Sequence, residues 1–262
     1  MTKAIILAAG QGTRLRPLTD NIPKCMVPLA GVSLLERQVS TLREAGITRI
    51  NIASGYRSEC IEELGFDVTL NPDYAKTNMV ESLFAAKDFI MSDQDDLIIA
   101  YGDIVYEIDN LNALLNSEED VALMIDTDWE KLWSLRLENP LEDAETLLID
   151  SDGYVTELGK KPKSYEFIQG QYTGLIKIAG SKLNDLWQFY KDLDRKATYD
   201  NKDFYNMYMT SFLQQLIDKG WKAKAVLVKN GWLEVDSVED LECYESLAKE
   251  NGLDKFYKLQ GE

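Results

Sequence analysis

The sequence predicts an α/β fold, a mostly parallel, doubly wound sheet with a small antiparallel lobe that covers a substrate. Two observations carry this reading. Through the first half of the chain, short apolar runs alternate with segments of helical period, the pattern of parallel strands joined by helical crossovers. From about Trp129 the alternation gives way to shorter extended pieces, the pattern of a covering excursion.

Each element follows in order. Lys3 to Ala8 is a short apolar run broken at Gly10 and Gly12, a buried strand entering a loop. Leu34, Leu35, Val39, Leu42 and Ala45 share one helical face, Gly46 stops that helix, and Thr48 to Ala53 gives the next strand. The alternation continues through Asp67 to Leu70, Met79 to Ile90, Asp96 to Tyr101 and Val121 to Ile125. Extended pieces are then expected at Ser134 to Leu137, Thr146 to Ile149, Tyr154 to Leu158 and Gln171 to Ile178, and these form the covering lobe. Helices over Ser181 to Leu193 and Phe204 to Lys219, a strand over Lys222 to Val228 and a helix over Val238 to Lys249 close the chain. With no internal repeat, low-complexity tract or Pro/Gly-rich linker, residues 1–262 read as one domain.

Composition narrows the chemistry. A chain of 262 residues at 45% hydrophobic content can bury a full-sized core. It shows no uninterrupted apolar run of about 20 residues and no leader-like N-terminus, so a cytoplasmic protein without a membrane span is expected. The 28 basic and 45 acidic residues give a net charge of -17, which opposes non-specific binding to nucleic acid or to an anionic membrane. Residues 1–24 reverse that sign: Lys3, Arg14, Arg16 and Lys24 stand against Asp20 alone, which points to a bound anion. With 0 histidines, His-based acid-base catalysis, Ser-His-Asp triads and His-ligated metals are all excluded. The three cysteines, Cys25, Cys60 and Cys243, have no C-x-x-C spacing and receive no role. The remaining catalytic means are carboxylates, Lys, Arg and a metal ion.

After the first strand stands Ala8-Ala9-Gly10-Gln11-Gly12-Thr13-Arg14-Leu15-Arg16-Pro17-Leu18-Thr19, followed by Pro23-Lys24. Small residues let main chain approach a ligand, and N–H groups in a Gly turn can face phosphate oxygens. The string is neither a dinucleotide fingerprint, since Leu15 stands three after Gly12, nor a P-loop, since no Gly-Lys-Ser/Thr follows. Gly102-Asp103 places a carboxylate just past the carboxyl end of a buried strand, on the ligand-binding edge of an open sheet, where it can hold Mg²⁺ or cap a turn. Trp232 to Leu241 contains Asp236 and Ser237 at the start of the last helix, with Ser237 and Asp240 in capping-box spacing. Gly159-Lys160-Lys161-Pro162-Lys163 is a basic turn.

The Gly-x-Gly-Thr-Arg string with its Pro-Leu-Thr and Pro-Lys resembles the signature of the sugar-phosphate nucleotidyltransferases. The resemblance implies a Rossmann-like nucleotidyltransferase fold with residues 1–128 as the nucleotide-binding half and 129–262 as the acceptor-binding half. It implies further that Leu7, Ala8, Ala9, Gly10, Gly12 and Thr13 line or cradle the nucleotide, that Arg14 and Lys24 are catalytic cations on the phosphates, and that Asp103 and Asp236 bind Mg²⁺ as cofactor. In hexose-phosphate members a Glu-Lys-Pro motif contacts the sugar phosphate; here Lys161-Pro162 matches but Lys160 replaces the Glu, which keeps a phosphate-binding Lys161 and disfavours a sugar. Asn71-Pro72-Asp73-Tyr74 and Thr77 to Leu83 are similar to small-acceptor cytidylyltransferases of the phosphocholine and phosphoglutamine type. Asn78 and Ser82 then read the base or the acceptor, or cap a helix start. Glu166 and Tyr172, in a stretch rich in aromatic and acidic residues, are candidate contacts to a cationic acceptor.

The expected partners are therefore CTP and a small phosphorylated acceptor: phosphocholine, phosphoglutamine, phosphoethanolamine or aminoethylphosphonate, in capsule or cell-surface polysaccharide biosynthesis. The alternatives are a hexose-1-phosphate uridylyl- or thymidylyltransferase and a non-catalytic nucleotide-sensing subunit on the same fold. The presence together of Arg14, Lys24, Asp103 and Asp236 argues against the last.

Overall fold

The computed structural model describes residues 1–259. Its centre is a seven-stranded sheet in the order Ala223–Val228, Val121–Asp126, Gln171–Ile178, Asp96–Tyr101, Thr2–Ala8, Ile50–Ser54, Asp67–Leu70. All neighbours run parallel except Gln171–Ile178, which is antiparallel to the strands on both sides of it. Helices cover both faces, so the central strands are apolar on both sides instead of alternating: Ala4 to Ala8, Leu97 to Ala100 and Val121 to Ile125 are all buried.

Local chemistry sets the ends of the elements that aim at the site. The helix Leu34–Glu44 starts with a full capping box, Ser33 with Glu36, and buries Leu34, Leu35, Val39 and Leu42. The helix Val238–Lys249 starts with a second one, Ser237 with Asp240. Lys3 lies wholly inside the fold, its ammonium donating to the carbonyls of Phe89 and Ile90 and to Asp93 at 2.9 Å, so it is structural and belongs to no site. Strands of both halves interleave in the one sheet.

Two expectations about the second half are corrected. Ser134 to Leu137 is not an extended piece: it ends the helix Trp129–Arg136, because Trp129, Leu132 and Trp133 lie three and four apart and face the core together. Gln171–Ile178 is antiparallel as expected but is no part of a covering lobe; burial on both faces places it inside the main sheet. Small antiparallel pairs lie outside the main sheet, among them the hairpin of Leu147–Ile149 and Val155–Leu158. Phe204 to Lys219 divides into a short turn at Phe204–Asn206 and a helix over Met209–Asp218. Among the elements not anticipated are the helix Ile108–Leu115 and the strands Ile104–Tyr106 and Trp232–Glu234, which pair antiparallel.

Candidate active site

The carboxyl ends of Thr2–Ala8 and Asp96–Tyr101 meet where the glycine loop begins. The Gly102 N–H donates to the Leu7 carbonyl at 2.9 Å, and a Cβ on Gly102 would come within 2.6 Å of that oxygen. Only glycine lets the two strand ends cross so closely, and the crossing fixes Asp103. Gly12 has a second steric reason: at φ 60° its absent Cβ would sit 2.9 Å from the Lys24 Cβ, so the loop can lie against the lysine that follows it.

The ladder of Ile104–Tyr106 with Trp232–Glu234 brings in the other carboxylates. Glu234 pairs with Ile104, and the Val235 N–H donates to the Asp103 carbonyl at 3.0 Å. Asp236 is held by its main-chain N–H, which donates to Asp240 at 3.0 Å. Asp103, Glu234 and Asp236 thereby form a cluster with ligand oxygens within 4.8 Å of one another.

Three cations oppose the cluster. The Lys24 ammonium bridges Asp103 at 2.7 Å and Asp236 at 2.5 Å, and Arg14 meets Asp236 at 3.0 Å. Arg136, only 4% exposed at its side chain, pairs with Glu234 at 3.1 Å and Asp240 at 2.9 Å. Burial opposes charge on Lys24, but Asp103, Asp236 and Glu234 outweigh it and hold the ammonium above its ordinary pKa. Burial likewise pushes Asp236 up, and Lys24, Arg14 and Arg136 more than reverse it. Glu234 ends raised, by burial first and then by repulsion from Asp236, against the pull of Arg136. Arg136 and Glu234 were both missed. Glu234 was legible as the partner of Asp236 two positions on, which faces the same way along an extended segment; Arg136 was hidden by the mistaken extended reading of its helix.

Two cavities open onto this cluster. The first, about 140 Å³, is lined by Leu7, Ala8, Ala9, Gly10, Lys24, Asn78, Ser82 and Asp103, with Tyr74 and Thr77. Gly12 and Thr13 are in the loop but outside this lining. Asn78 caps the helix Met79–Ala85 by accepting from the Met79 N–H, and Ser82 accepts from Asn71 at 3.0 Å, so both are held by protein partners as well as facing the cavity. The second cavity, about 180 Å³, is lined by Tyr101, Trp133, Glu145, Tyr172, Tyr208 and Trp232, among others, and includes Glu234 and Asp236. Met79 borders both.

Two expected acceptor contacts fall elsewhere. The Lys161 ammonium is spent on the carbonyls of Leu141, at 2.7 Å, and Glu142, tying down the covering loop. Glu166 lies exposed in the turn Tyr165–Phe167. Neither lines either cavity, and Tyr172 does line the second.

An all-oxygen cluster of three carboxylates suits a hard divalent cation. The Asp103 Oδ1 is buried without a hydrogen-bond partner, as a ligand atom would be. The residues therefore fit Mg²⁺.

An open α/β sheet carrying a glycine loop, a cationic pair and a carboxylate cluster at its strand ends defines a nucleotide-transferring class of protein. Residues 4–152 match the MobA-like NTP transferase domain, and the chain belongs to that family. It is 47% identical over 247 residues to the CTP:phosphoglutamine cytidylyltransferase of Campylobacter jejuni, covering 91% of this chain and 97% of that one. It is 35% identical over 109 residues to a 2-aminoethylphosphonate cytidylyltransferase of Lancefieldella rimae, covering 40% of this chain and 44% of that one. In fold it is similar to the inositol-1-phosphate CTP transferase of T. maritima, with a TM-score of 0.72 at 21% identity over 98% of both chains.

Proposed function

We propose that the protein transfers CMP from CTP to a small phosphorylated acceptor and releases pyrophosphate, with phosphoglutamine as the leading acceptor type and phosphocholine, phosphoethanolamine and aminoethylphosphonate as the others. The observation that carries this reading is the meeting of two cavities at one carboxylate cluster, one on the glycine loop and an acidic, aromatic one beyond it. Near full-length similarity to a phosphoglutamine cytidylyltransferase supports the choice of nucleotide and acceptor.

In this reading the first cavity holds CTP and the second the acceptor. An acceptor phosphate oxygen attacks the α-phosphorus in line; the new P–O bond forms as the bond to the β-phosphate oxygen breaks, and the electron pair leaves on pyrophosphate. The attacking oxygen is already anionic near neutral pH, so no general base is needed and a chain without histidine suffices. Main-chain groups of Ala8 to Gly10 position the phosphates, and Lys24 and Arg14 neutralise charge as it redistributes. Mg²⁺, held by Asp103 and Asp236 with Glu234 beside them, would supply further neutralisation of the phosphates. Both halves act as one catalytic unit. Among the described residues no helix is long and apolar enough to cross a membrane, and we place the enzyme in the cytoplasm, supplying an activated group for capsule or cell-surface polysaccharide.

The test is pyrophosphate release from each of four NTPs against the four small acceptors and glucose-1-phosphate. The expected result is the highest kcat/KM for CTP with a small acceptor. A maximum for UTP or dTTP with glucose-1-phosphate would overturn the choice of substrates and leave the fold intact.

A further inference from the structure

The second cavity holds a carboxylate that the protein does not pair. Glu145 lines it, and among the described residues its side chain has no hydrogen bond and no ion pair. Its main chain, in contrast, is held on both sides: the Gln171 side-chain amide donates to the Glu145 carbonyl at 2.7 Å and accepts from the Glu145 N–H at 3.0 Å. Gln171 is buried in the sheet strand Gln171–Ile178, so a rigid element sets where Glu145 stands. The charges facing Glu145 are all of its own sign: Asp143 two residues before it and Asp200 on the turn between Thr198–Tyr199 and Lys202–Asp203. The phenols of Tyr101 and Tyr172 complete that wall. Leaving a half-buried carboxylate beside like charge costs stability, and no hydrogen bond or ion pair among the described residues offsets it. A second polar group in the cavity is also without a partner: Trp133, 4% exposed, has an indole N–H with no acceptor.

We infer that Glu145 is the specificity residue for the acceptor, its carboxylate accepting hydrogen bonds from a primary ammonium group on the substrate. This rests on the reading of the second cavity as the acceptor site. Tyr101 and Tyr172 exclude water from the contact, so the pair is stronger than it would be at a surface. A sugar phosphate has hydroxyls in place of the cation and leaves the carboxylate unpaired, and a quaternary ammonium has no N–H to donate. The Trp133 N–H is a donor for an anionic part of the same substrate. Burial, with Asp143 and Asp200 adding to it, pushes Glu145 up to about 7, so its charged form is in balance near neutral pH until a cation arrives.

The experiment compares wild type with Glu145→Gln on phosphoglutamine, 2-aminoethylphosphonate and phosphoethanolamine, each beside the analogue in which hydrogen replaces the ammonium group. A lost charge-assisted hydrogen bond predicts a rise of about ten- to hundredfold in acceptor KM for the amines. Changes below about twofold are expected in kcat, in the KM for CTP and in the KM for the deaminated analogues, whose turnover also reports that the variant is folded. In wild type the KM ratio of amine to analogue rises as pH falls below about 7, and in Glu145→Gln it stays flat. An amine that remains the best acceptor with its KM unchanged in the variant, or an equal loss on amine and analogue, would overturn this inference alone. Turnover of glucose-1-phosphate with none of the amines would overturn both the inference and the substrate reading beneath it.

Discussion

The cavity we assign to the nucleotide and the cavity we assign to the acceptor share one carboxylate cluster but are built in opposite ways. The first is built around consecutive residues, Leu7 to Gly10 where one strand runs into its loop, with Lys24, Asp103 and, at one helix start, Asn78 and Ser82. Asn78 and Ser82 there are engaged with the protein, Asn78 as a cap and Ser82 with Asn71, so the cavity presents loop main chain together with Lys24 and Asp103. The second draws Trp133, Glu145, Tyr172, Thr210 and Trp232 from separate elements and leaves Glu145 and the Trp133 N–H unpaired. A site that reads phosphates can be satisfied by backbone N–H groups, which every sequence supplies. One that reads a particular acceptor needs side chains held free for it.

The largest expected effect tests what the cavities share. Asp103→Asn is expected to lower kcat by about 10³-fold at millimolar metal while its far-ultraviolet circular dichroism is unchanged, because one carboxylate of the cluster is lost. Near-normal turnover would remove the cluster from the account. Lys24→Ala is expected to lower kcat by about 10²-fold, more than it alters the KM for CTP. It also leaves Asp103 and Asp236 facing each other without their bridge, so its melting temperature should fall and be restored by added Mg²⁺ more than wild type's. Arg14, more exposed, should show the same kcat pattern on alanine substitution with a smaller loss.

Arg136→Met separates support from chemistry. Removing a buried cation from Glu234 and Asp240 is expected to cost about 3 kcal/mol in urea denaturation. The effect on the acceptor side appears only with pH. Glu145 is raised on folding from 4.5 to about 7, so its contribution to stability is complete below pH 4.5 and is lost as pH rises through about 7. Wild type and Glu145→Gln should therefore melt alike at pH 4.5 and diverge by pH 8, where the variant is the more stable. Parallel melting curves at both pH values would show that Glu145 is not buried as described.

The same contrast explains what could be read from the sequence. The glycine loop, Lys24, Gly102-Asp103 and the last helix with its Ser237 cap are local patterns, and each stands where its spacing put it. Glu145 carries no such pattern: it follows Ala144 in a loop, and only the Gln171 clamp, 26 residues on, makes it part of a wall. Lys161 and Glu166 were drawn toward the site by motif and composition, and tertiary contacts sent them elsewhere. Arg136 was lost because four residues at a helix end look extended when their period is read too locally. Strand Gln171–Ile178 was assigned its direction correctly and its layer wrongly, since an antiparallel strand buried on both faces has the same apolar content as its parallel neighbours.

The central claim is that the two cavities open onto one cluster, so that the acceptor attacks the nucleotide directly. It is tested by the stereochemistry of transfer from a single diastereomer of CTP carrying sulfur in place of a non-bridging oxygen on the α-phosphorus, with the product's configuration read by ³¹P nuclear magnetic resonance. A single in-line displacement predicts inversion at that phosphorus. Retention would require an even number of displacements through a nucleotidylated side chain, and would contradict the account.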